Sequence, residues 1–205
     1  MRNPFLDGVR GYLGEENLKK IQNVKVGIAG AGGLGSNCAQ HLVRSGFKHL
    51  VLVDFDRVDY SNLNRQFYFP DQVGQLKVEA LEANLKRINP CLNIRGVPGR
   101  LCKENMLQLL GECAVVVEAL DDALCKRELV ETFIQSNKLL VAASGIAGWG
   151  KSDEIRIRQV NDSFYVVGDM VSEAGKECPP VSPRVNIVAA KQADIVLSRV
   201  LEGDF

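Results

Sequence analysis

Apolar positions along the first 145 residues follow two alternating patterns. Short apolar or β-branched runs of strand length occur at 24–29, 49–53, 92–97, 114–117 and 138–143. Between these runs, apolar residues recur at helical spacing over 33–45, 76–88, 103–110 and 123–135. Because strands that alternate with helices usually pair in parallel, the sequence predicts an α/β fold with a doubly wound, mostly parallel, Rossmann-like sheet.

The pattern changes after Gly145. Two strand-like runs, 153–160 and 163–167, are joined by Asn161-Asp162, which predicts a hairpin and therefore antiparallel strands added in the C-terminal part. Prolines and glycines mark 171–183 as a loop, and 184–201 has a helical pattern. We therefore predict one domain over 1–205. It comprises an N-terminal helical arm (1–23), a Rossmann-like core (24–145) and an extension with the loop and last helix (146–205).

Composition narrows the classes of function. The chain of 205 residues has 25 basic and 25 acidic residues, so its formal charge is zero, which argues against a nucleic-acid partner. It has no apolar run long enough to span a membrane and no signal-peptide pattern, so we expect a cytoplasmic location. None of the six cysteines are spaced as C-x-x-C, so we expect no zinc.

A glycine-rich turn follows the first predicted strand and opens the first predicted helix. Its sequence is Gly30-Ala31-Gly32-Gly33-Leu34-Gly35, which reads G-x-G-x-x-G. Such glycines let the backbone turn tightly and approach a phosphate group at a helix N-terminus. Asp54 ends the second predicted strand, about 20 residues later, where a carboxylate can accept hydrogen bonds from a ribose. The motif alone leaves NAD, FAD and ATP open.

Donor groups and cations crowd the segment after Asp54. Asp56, Asn62, Arg65 and Gln66 lie in it, and Lys77 opens the next predicted helix. This segment follows the carboxyl end of a strand, where doubly wound sheets bind ligands. A diphosphate bridge requires fewer donors and cations than these, so the segment favours a triphosphate. The alternative is a solvated polar loop.

Four segments, in this order and spacing, resemble the ThiF/MoeB family of ubiquitin-activating-type adenylyltransferases for small sulfur-carrier proteins. The segments are Gly30-Ala31-Gly32-Gly33-Leu34-Gly35-Ser36, Asp54-Phe55-Asp56, Ser61-Asn62-Leu63-Asn64-Arg65-Gln66 and Gly74-Gln75-Leu76-Lys77-Val78. Val181-Ser182-Pro183-Arg184-Val185-Asn186 is also similar to a short ThiF subgroup that pairs with ThiS, the sulfur carrier of thiamine thiazole synthesis. The resemblance implies an adenylation domain with ATP and Mg²⁺ as cofactors and a ThiS-like carrier as partner.

The implied reaction joins the C-terminal Gly-Gly carboxylate of the carrier to AMP and releases pyrophosphate. A terminal carboxyl group has a reference pKa of about 3.5, so at pH 7 it needs no general base. The obstacle is repulsion between this anion and the α-phosphate. Catalysis should therefore consist of positioning and charge neutralisation by cations, amide groups and a metal.

The resemblance also assigns residues. It implies that Asp54 holds the ribose and that Asn62, Arg65, Gln66 and Lys77 surround the phosphates, with Arg65 and Lys77 neutralising charge during the reaction. Asp121 matches the magnesium aspartate of the family; the alternative is that it caps the helix that follows. Two positions depart from the family. Asp122 stands where the family has Asn, and Lys126 stands where it has Arg.

Two further residues are candidates by resemblance. Arg10 matches an arginine that the family's active site takes from the partner subunit, which implies a homodimer. Cys178 lies in the predicted 171–183 loop, where some relatives bond a cysteine covalently to the carrier; an incidental loop cysteine is the favoured interpretation. Trp149 could line a channel for the carrier's tail, and ordinary packing is the favoured interpretation.

Other functions share part of these features. An activating enzyme for a molybdopterin carrier or for a tRNA base is the closest alternative. An NAD-dependent oxidoreductase would use the glycine turn and Asp54 but leaves Asn62–Gln66 and Lys77 unexplained, and no catalytic base is evident in the sequence. A non-catalytic docking subunit would lack the arginine or the metal aspartate, and both are present here.

Overall fold

The structure, a computed structural model, describes residues 3–203; residues 1–2 and 204–205, which the predicted arm and extension include, lie outside this part. One seven-stranded sheet has the order β3-β2-β1-β4-β5-β7-β6. Its strands are β1 (Lys25–Ala29), β2 (His49–Val53), β3 (Asn93–Val97), β4 (Val115–Glu118), β5 (Leu139–Ala143), β6 (Arg156–Asn161) and β7 (Phe164–Gly168). Neighbouring strands are parallel except for the antiparallel β6–β7 pair. This confirms the predicted doubly wound, mostly parallel, Rossmann-like sheet with its antiparallel C-terminal addition.

Seven α-helices flank the sheet in the described part of the chain. They are α1 (Pro4–Leu13), α2 (Glu15–Asn23), α3 (Gly33–Arg44), α4 (Lys77–Ile88), α5 (Lys103–Leu110), α6 (Ala123–Phe133) and α7 (Ser182–Glu202). Local chemistry sets their ends. The Asn3 side chain accepts a hydrogen bond from the Leu6 amide at the start of α1. At the end of α4, Asn89 precedes a proline and is extended, so the helix stops there.

Three element boundaries differ from the prediction by two or more residues. Helix α6 ends at Phe133 instead of 135, because the chain turns there and the Ser136 amide donates to the Phe133 carbonyl. Strand β6 begins at Arg156 instead of 153, because Ser152–Glu154 form a 3-10 turn. Helix α7 begins at Ser182 instead of 184, because Pro183 fits the first turn, where its missing N–H leaves no partner unsatisfied.

The core lies on both faces of the sheet. Along β4, Val115 and Val117 pack into a cluster with residues of α3, α4 and α7, while Val116 packs into a second cluster with residues of α5 and α6. This alternation is what a parallel sheet covered on both faces requires. Both coverings leave the carboxyl ends of β1, β2, β4 and β5 together at one end of the sheet. Over residues 3–203, none of the helices combines the length and the apolar content that crossing a bilayer requires.

Candidate active site

A cavity of about 650 Å³ opens at the carboxyl ends of β1, β2, β4 and β5. One side, which we call the β1–β2 wall, consists of lining residues within 30–34 and 53–66 together with Lys77. The opposite side, the β4–β5 wall, consists of lining residues within 119–126, 143–146 and 172–174. The predicted site residues that line the cavity are Gly30, Gly32, Gly33, Asp54, Asp56, Asn62, Arg65, Gln66, Lys77 and Asp121. Gly35, Arg10 and Cys178 do not line it.

The glycines of the turn have different structural roles. Gly30 has a φ of 97°, and a Cβ there would lie 2.5 Å from the Ala119 carbonyl oxygen. A Cβ at Gly35 would lie 1.9 Å from the Gly30 carbonyl oxygen, so this glycine lets α3 pack against the turn and does not face the cavity. Gly32 is open, since its nearest neighbour, Gln66 Nε2, would be 3.9 Å from a Cβ. No side chain caps α3, which leaves its first-turn amides available to an anion.

Asp54 is fixed by the backbone around it. Its Oδ2 accepts from the Ala31 amide at 2.6 Å, and its Oδ1 accepts from the Asp56 amide at 2.8 Å. Each carboxylate oxygen keeps a further lone pair that can accept from a ribose hydroxyl. The carboxylate therefore joins the glycine turn to the end of β2 and keeps a fixed orientation towards the cavity.

Lys77 is a nearly buried cation at the start of α4. Its side chain is 7% exposed, and its ammonium lies 2.6 Å from Asp56 Oδ2. The Lys77 amide also donates to the Asp56 carbonyl at 2.9 Å, so the two residues are bonded through both backbone and side chain. An ammonium has three N–H donors, and the contact with Asp56 leaves donors for a second anion in the cavity.

The side chains of Arg65 and Gln66 line the cavity and make no contact with a carboxylate in the described part of the chain. The Arg65 guanidinium donates to the Ser61 carbonyl at 3.0 Å and to Asn64 Oδ1 at 2.8 Å, and burial lowers its pKa. Gln66 is 8% exposed, and its Oε1 has no partner within the described residues. Asn62 Oδ1 accepts from the Asp59 amide, which orients the amide side chain of Asn62. A buried, unpartnered amide beside a cation is suited to a polar ligand.

Tyr68 supports this wall, although no sequence motif marks it as a site residue. The Tyr68 hydroxyl donates to the Ala31 carbonyl at 2.7 Å and also lies 3.3 Å from the Lys77 carbonyl. Burial raises the pKa of Tyr68 well above its ordinary value, and the carboxylates of Asp54 and Asp56 raise it further. The hydroxyl therefore stays protonated and acts as a donor that ties the glycine turn to α4. Its only sequence signal was its nearness to the Ser61–Gln66 segment.

The two aspartates after β4 have separate roles in the structure. The alternative role for Asp121, capping the next helix, is wrong, because it is Asp122 Oδ1 that accepts from the Cys125 amide at 2.8 Å and caps α6. Asp121 is exposed, lines the cavity and makes no hydrogen bond or ion pair with the other described residues. Residues 3–203 contain no group of three or more His, Cys, Asp or Glu residues suited to holding a metal by themselves.

The remaining predicted residues lie away from the cavity lining. Arg10 pairs with Asp7 and with Glu15 at 2.6 Å, and the hydrogen bonds that it donates to these carboxylates raise its pKa. Cys178 is partly exposed and packs beside Gly148, where a Cβ would lie 2.8 Å from its Sγ. The favoured interpretation of Trp149 as a packed residue is wrong, because its side chain is 68% exposed.

Among the lining residues that were not assigned to the site from the sequence, Arg100, Phe55 and Lys126 carry charge or an aromatic ring. The Arg100 guanidinium lies 5.2 Å from the centre of the Phe55 ring, and both residues border the cavity beyond Asp54. Phe55 is 53% exposed, which is unusual for an aromatic residue and marks it as a surface available to a planar group. Lys126 is bound to Glu118 at the base of the β4–β5 wall.

Comparison with known proteins gives a consistent set of relatives. The model of the ThiF family matches residues 8–203. The adenylyltransferase and sulfurtransferase UBA4 of Candida glabrata is 36% identical over 164 residues, which cover 80% of this chain and 37% of that protein. The molybdopterin-synthase adenylyltransferase of Salmonella typhimurium is 29% identical over 186 residues, which cover 89% of this chain and 74% of that protein. The chain thus spans well under half the length of the UBA4 relative.

A solved structure has the same fold over nearly the whole chain. The tRNA N6-threonylcarbamoyladenosine dehydratase TcdA of E. coli, in a complex with ATP, superposes with a TM-score of 0.83 and 21% sequence identity. The superposition covers 98% of this chain and 93% of that one. At this identity the likeness establishes the fold.

Proposed function

Because the chain belongs to the ThiF family, we propose that it is an ATP-dependent adenylyltransferase that activates a ubiquitin-like sulfur carrier of the ThiS type for thiamine thiazole synthesis. The carrier's C-terminal Gly-Gly carboxylate would attack the α-phosphate of ATP, forming the carrier adenylate and releasing pyrophosphate. The observation that carries the proposal is the joint presence, in one cavity, of the glycine turn, the ribose-type carboxylate Asp54 and the cations Arg65 and Lys77.

The β1–β2 wall suits a nucleoside triphosphate. The α3 amides and Lys77 would hold the phosphates, with Arg65, Asn62 and Gln66 beside them. Arg65 has neutral partners and Lys77 has a single carboxylate partner, so both retain charge for a polyanion. Their cationic groups would reduce the repulsion between the attacking carboxylate and the α-phosphate, which is the main barrier to this reaction.

Magnesium fits the site as a companion of the nucleotide. Mg²⁺ is usually held by one or two carboxylates together with substrate phosphate oxygens and waters. Asp121 is an unpaired carboxylate facing the cavity, and we propose it as the protein's ligand to the ion. The bound ion would neutralise phosphate charge that Arg65 and Lys77 do not reach.

We propose a docking surface for the carrier on three exposed apolar side chains that are close in sequence to lining residues of the cavity. Trp149 and Val171 are 68% and 80% exposed on the two loops that follow β5 and β7, and Leu124 is 59% exposed at the start of α6. Since the formal charge of the chain is zero, we propose that the carrier docks on these apolar side chains while its tail enters the cavity. We also propose a homodimer in which Arg10 serves the partner subunit's site.

The main point to test is which carrier the enzyme activates, because the relatives are named for different substrates. One relative is named for molybdopterin synthase and the structural match for a tRNA modification, so activation of a molybdopterin carrier or a tRNA base is the second candidate. Family membership favours both over an NAD-dependent oxidoreductase, which needs neither Arg65 nor Lys77. The resemblance of residues 181–186 to the short ThiF subgroup supports the ThiS-type carrier.

Intact-mass measurement of the carrier tests the proposal. A ThiS-type and a molybdopterin-type carrier are each incubated with the enzyme, ATP and Mg²⁺, with and without the terminal glycine. We expect an added AMP on the intact ThiS-type carrier. The Arg65→Ala variant should abolish it, whereas Arg57→Ala should not, because Arg57 bonds the Gly74 carbonyl outside the cavity. Adenylate on the molybdopterin-type carrier alone would contradict the ThiS assignment, and adenylate on neither would contradict the activity.

A further inference from the structure

We propose that Glu118 and Lys126 form a positioning pair that sets the Asp121 carboxylate in the cavity. This inference rests on the proposed role of Asp121 as the ligand of the magnesium ion that accompanies ATP. Glu118 does not line the cavity, and Lys126 lines it with its ammonium bound to Glu118 and to the Leu120 carbonyl. Both act on the short segment that joins β4 to α6 and carries Asp121.

Glu118 is an almost fully buried carboxylate at the end of β4. Its residue is 1% exposed, and its Oε1 accepts from the Leu120 amide at 2.7 Å and from Lys126 Nζ at 2.9 Å. Its Oε2 lies 2.8 Å from Lys126 Nζ and accepts from the Ala143 amide at 3.3 Å. Burying a carboxylate is costly unless a cation pairs with it and hydrogen bonds satisfy its oxygens. Here Lys126 is the cation, and the Leu120 and Ala143 amides supply the hydrogen bonds.

Lys126 completes the arrangement from α6. Its ammonium also donates to the Leu120 carbonyl at 3.2 Å, in addition to its contacts with both Glu118 oxygens. Two of these contacts are hydrogen bonds, to Glu118 Oε1 and to the Leu120 carbonyl, and the third is the ion-pair contact with Glu118 Oε2. Lys126 borders the cavity, and its ammonium is bound to the Glu118 carboxylate and to the backbone of the segment that carries Asp121. We therefore assign it a positioning role through this segment.

The consequence is that Leu120, the residue before Asp121, is held at both its amide and its carbonyl. The residue after Asp121 is held as well, because Asp122 caps α6. A further support comes from Gln192, whose Nε2 donates to the Glu118 carbonyl at 3.0 Å and lies 3.4 Å from the Val141 carbonyl. Asp121 is thus a free carboxylate on a backbone fixed on both sides, which is the arrangement of a preorganised ligand.

Removing only Lys126 would leave Glu118 buried without its cation, which could unfold the protein. The test therefore uses the double variant Glu118→Gln with Lys126→Met. Asp121→Asn serves as the reference for loss of the metal ligand, and Lys126→Arg as the conservative variant. The matched control is Lys25→Met with Glu112→Gln, which removes a 2.9 Å ion pair at the opposite end of the sheet. ATP binding is measured calorimetrically in EDTA and in excess Mg²⁺, and exchange of the Leu120 amide proton is measured by NMR.

The account predicts that wild type, the control and Lys126→Arg bind ATP more tightly when Mg²⁺ is present. In the double variant and in Asp121→Asn, the factor by which Mg²⁺ tightens ATP binding should be about tenfold smaller than in wild type. Their affinity for ATP in EDTA should stay within about twofold of the wild-type value. The Leu120 amide should exchange faster in the double variant and not in Asp121→Asn.

Two results would overturn the positioning role. The double variant could keep the full magnesium-linked gain, or its affinities in EDTA and Mg²⁺ could fall by the same factor, as general structural damage would produce. An undiminished gain in Asp121→Asn would overturn the metal assignment together with the role of the pair, while adenylation itself would still be seen in the mass assay. A wild-type protein that binds no ATP would overturn the proposed function as a whole.

Discussion

The two walls of the cavity hold their charged groups in different ways. On the β1–β2 wall, the guanidinium of Arg65 contacts neutral oxygens, and Lys77 contacts one carboxylate. On the β4–β5 wall, the cation Lys126 is bound to Glu118 and to the Leu120 carbonyl, and the carboxylate of Asp121 has no partner among residues 3–203. One wall thus carries cationic groups, and the other carries a carboxylate that has no partner in the described part of the chain.

The loop behind the β4–β5 wall should contribute the largest effect on stability. Arg184 and Asp169 form an ion pair with both side chains 5% exposed. Burial would raise the pKa of Asp169, but hydrogen bonds from the Ser172 and Val171 amides and the charge of Arg184 hold it below its ordinary value of 3.8. We expect Asp169→Asn to lower the free energy of unfolding by about 3 kcal/mol at pH 7, because Arg184 is left buried without a carboxylate partner and keeps only its bonds to the Gly150 and Lys151 carbonyls.

The pH dependence sharpens this prediction. A depressed folded-state pKa stabilises the protein above the ordinary pKa, and this contribution is lost as the pH falls through the folded value. The difference between wild type and Asp169→Asn, measured by urea unfolding, should therefore narrow below about pH 4. A difference that stays constant down to pH 2 would contradict the assigned ion pair.

The cations of the β1–β2 wall, Arg65 and Lys77, should have the largest effect on the rate of adenylation. We expect Lys77→Met to lower kcat/KM for adenylation by about 10²- to 10³-fold, the loss typical of one preorganised electrostatic contact. Lys86→Met on the same helix is the matched control, because Lys86 pairs with Glu82 on the surface. Steady-state kinetics with the intact carrier measure both variants. Equal losses of kcat/KM in the two variants would show that the charge of Lys77 has no special role.

Two glycines of the turn separate packing from ligand contact. A Cβ at Gly35 would overlap the Gly30 carbonyl, so we expect Gly35→Ala to cost about 1–3 kcal/mol of unfolding free energy, or more. Gly32 has open space, so Gly32→Ala should preserve stability and weaken ATP binding. Thermal unfolding and ATP titration of both variants test the distinction, which would be wrong if Gly32→Ala were the less stable of the two.

The neighbouring aspartates of the β4–β5 wall should show the smallest difference. Asp122→Ala removes the cap of α6 and should cost about 1 kcal/mol of unfolding free energy. Asp121→Asn removes no contact within the described residues and should change stability by less than about 0.5 kcal/mol. Denaturant unfolding of the pair checks the assignment of the cap, and a reversed order would contradict it.

The same contrast explains what the sequence could predict. The sheet followed from periodicity, since apolar runs such as 49–53 and helical spacing such as 76–88 report burial directly. The β1–β2 wall followed from local motifs, because the glycine turn and the segment around Arg65 each lie within a few consecutive residues. Their placement around one cavity is what the carboxyl ends of adjacent parallel strands provide.

The β4–β5 wall could not be predicted in the same way. Glu118 ends an apolar strand, and its role depends on Lys126, Ala143 and Gln192, which only the fold brings together. Tyr68 was missed for the same reason, because its partner Ala31 is 37 residues away. The sequence also could not show which of the two adjacent aspartates, Asp121 or Asp122, caps α6. That choice depends on which side chain turns back towards the helix.

Exchange of labelled pyrophosphate into ATP tests the central claim most directly. The account predicts that the protein catalyses this exchange with Mg²⁺ and a ThiS-type carrier that retains its terminal glycine, and that exchange stops when this glycine is removed. It would be contradicted by exchange that proceeds at the same rate without a carrier, or by its absence with every carrier that ends in Gly-Gly.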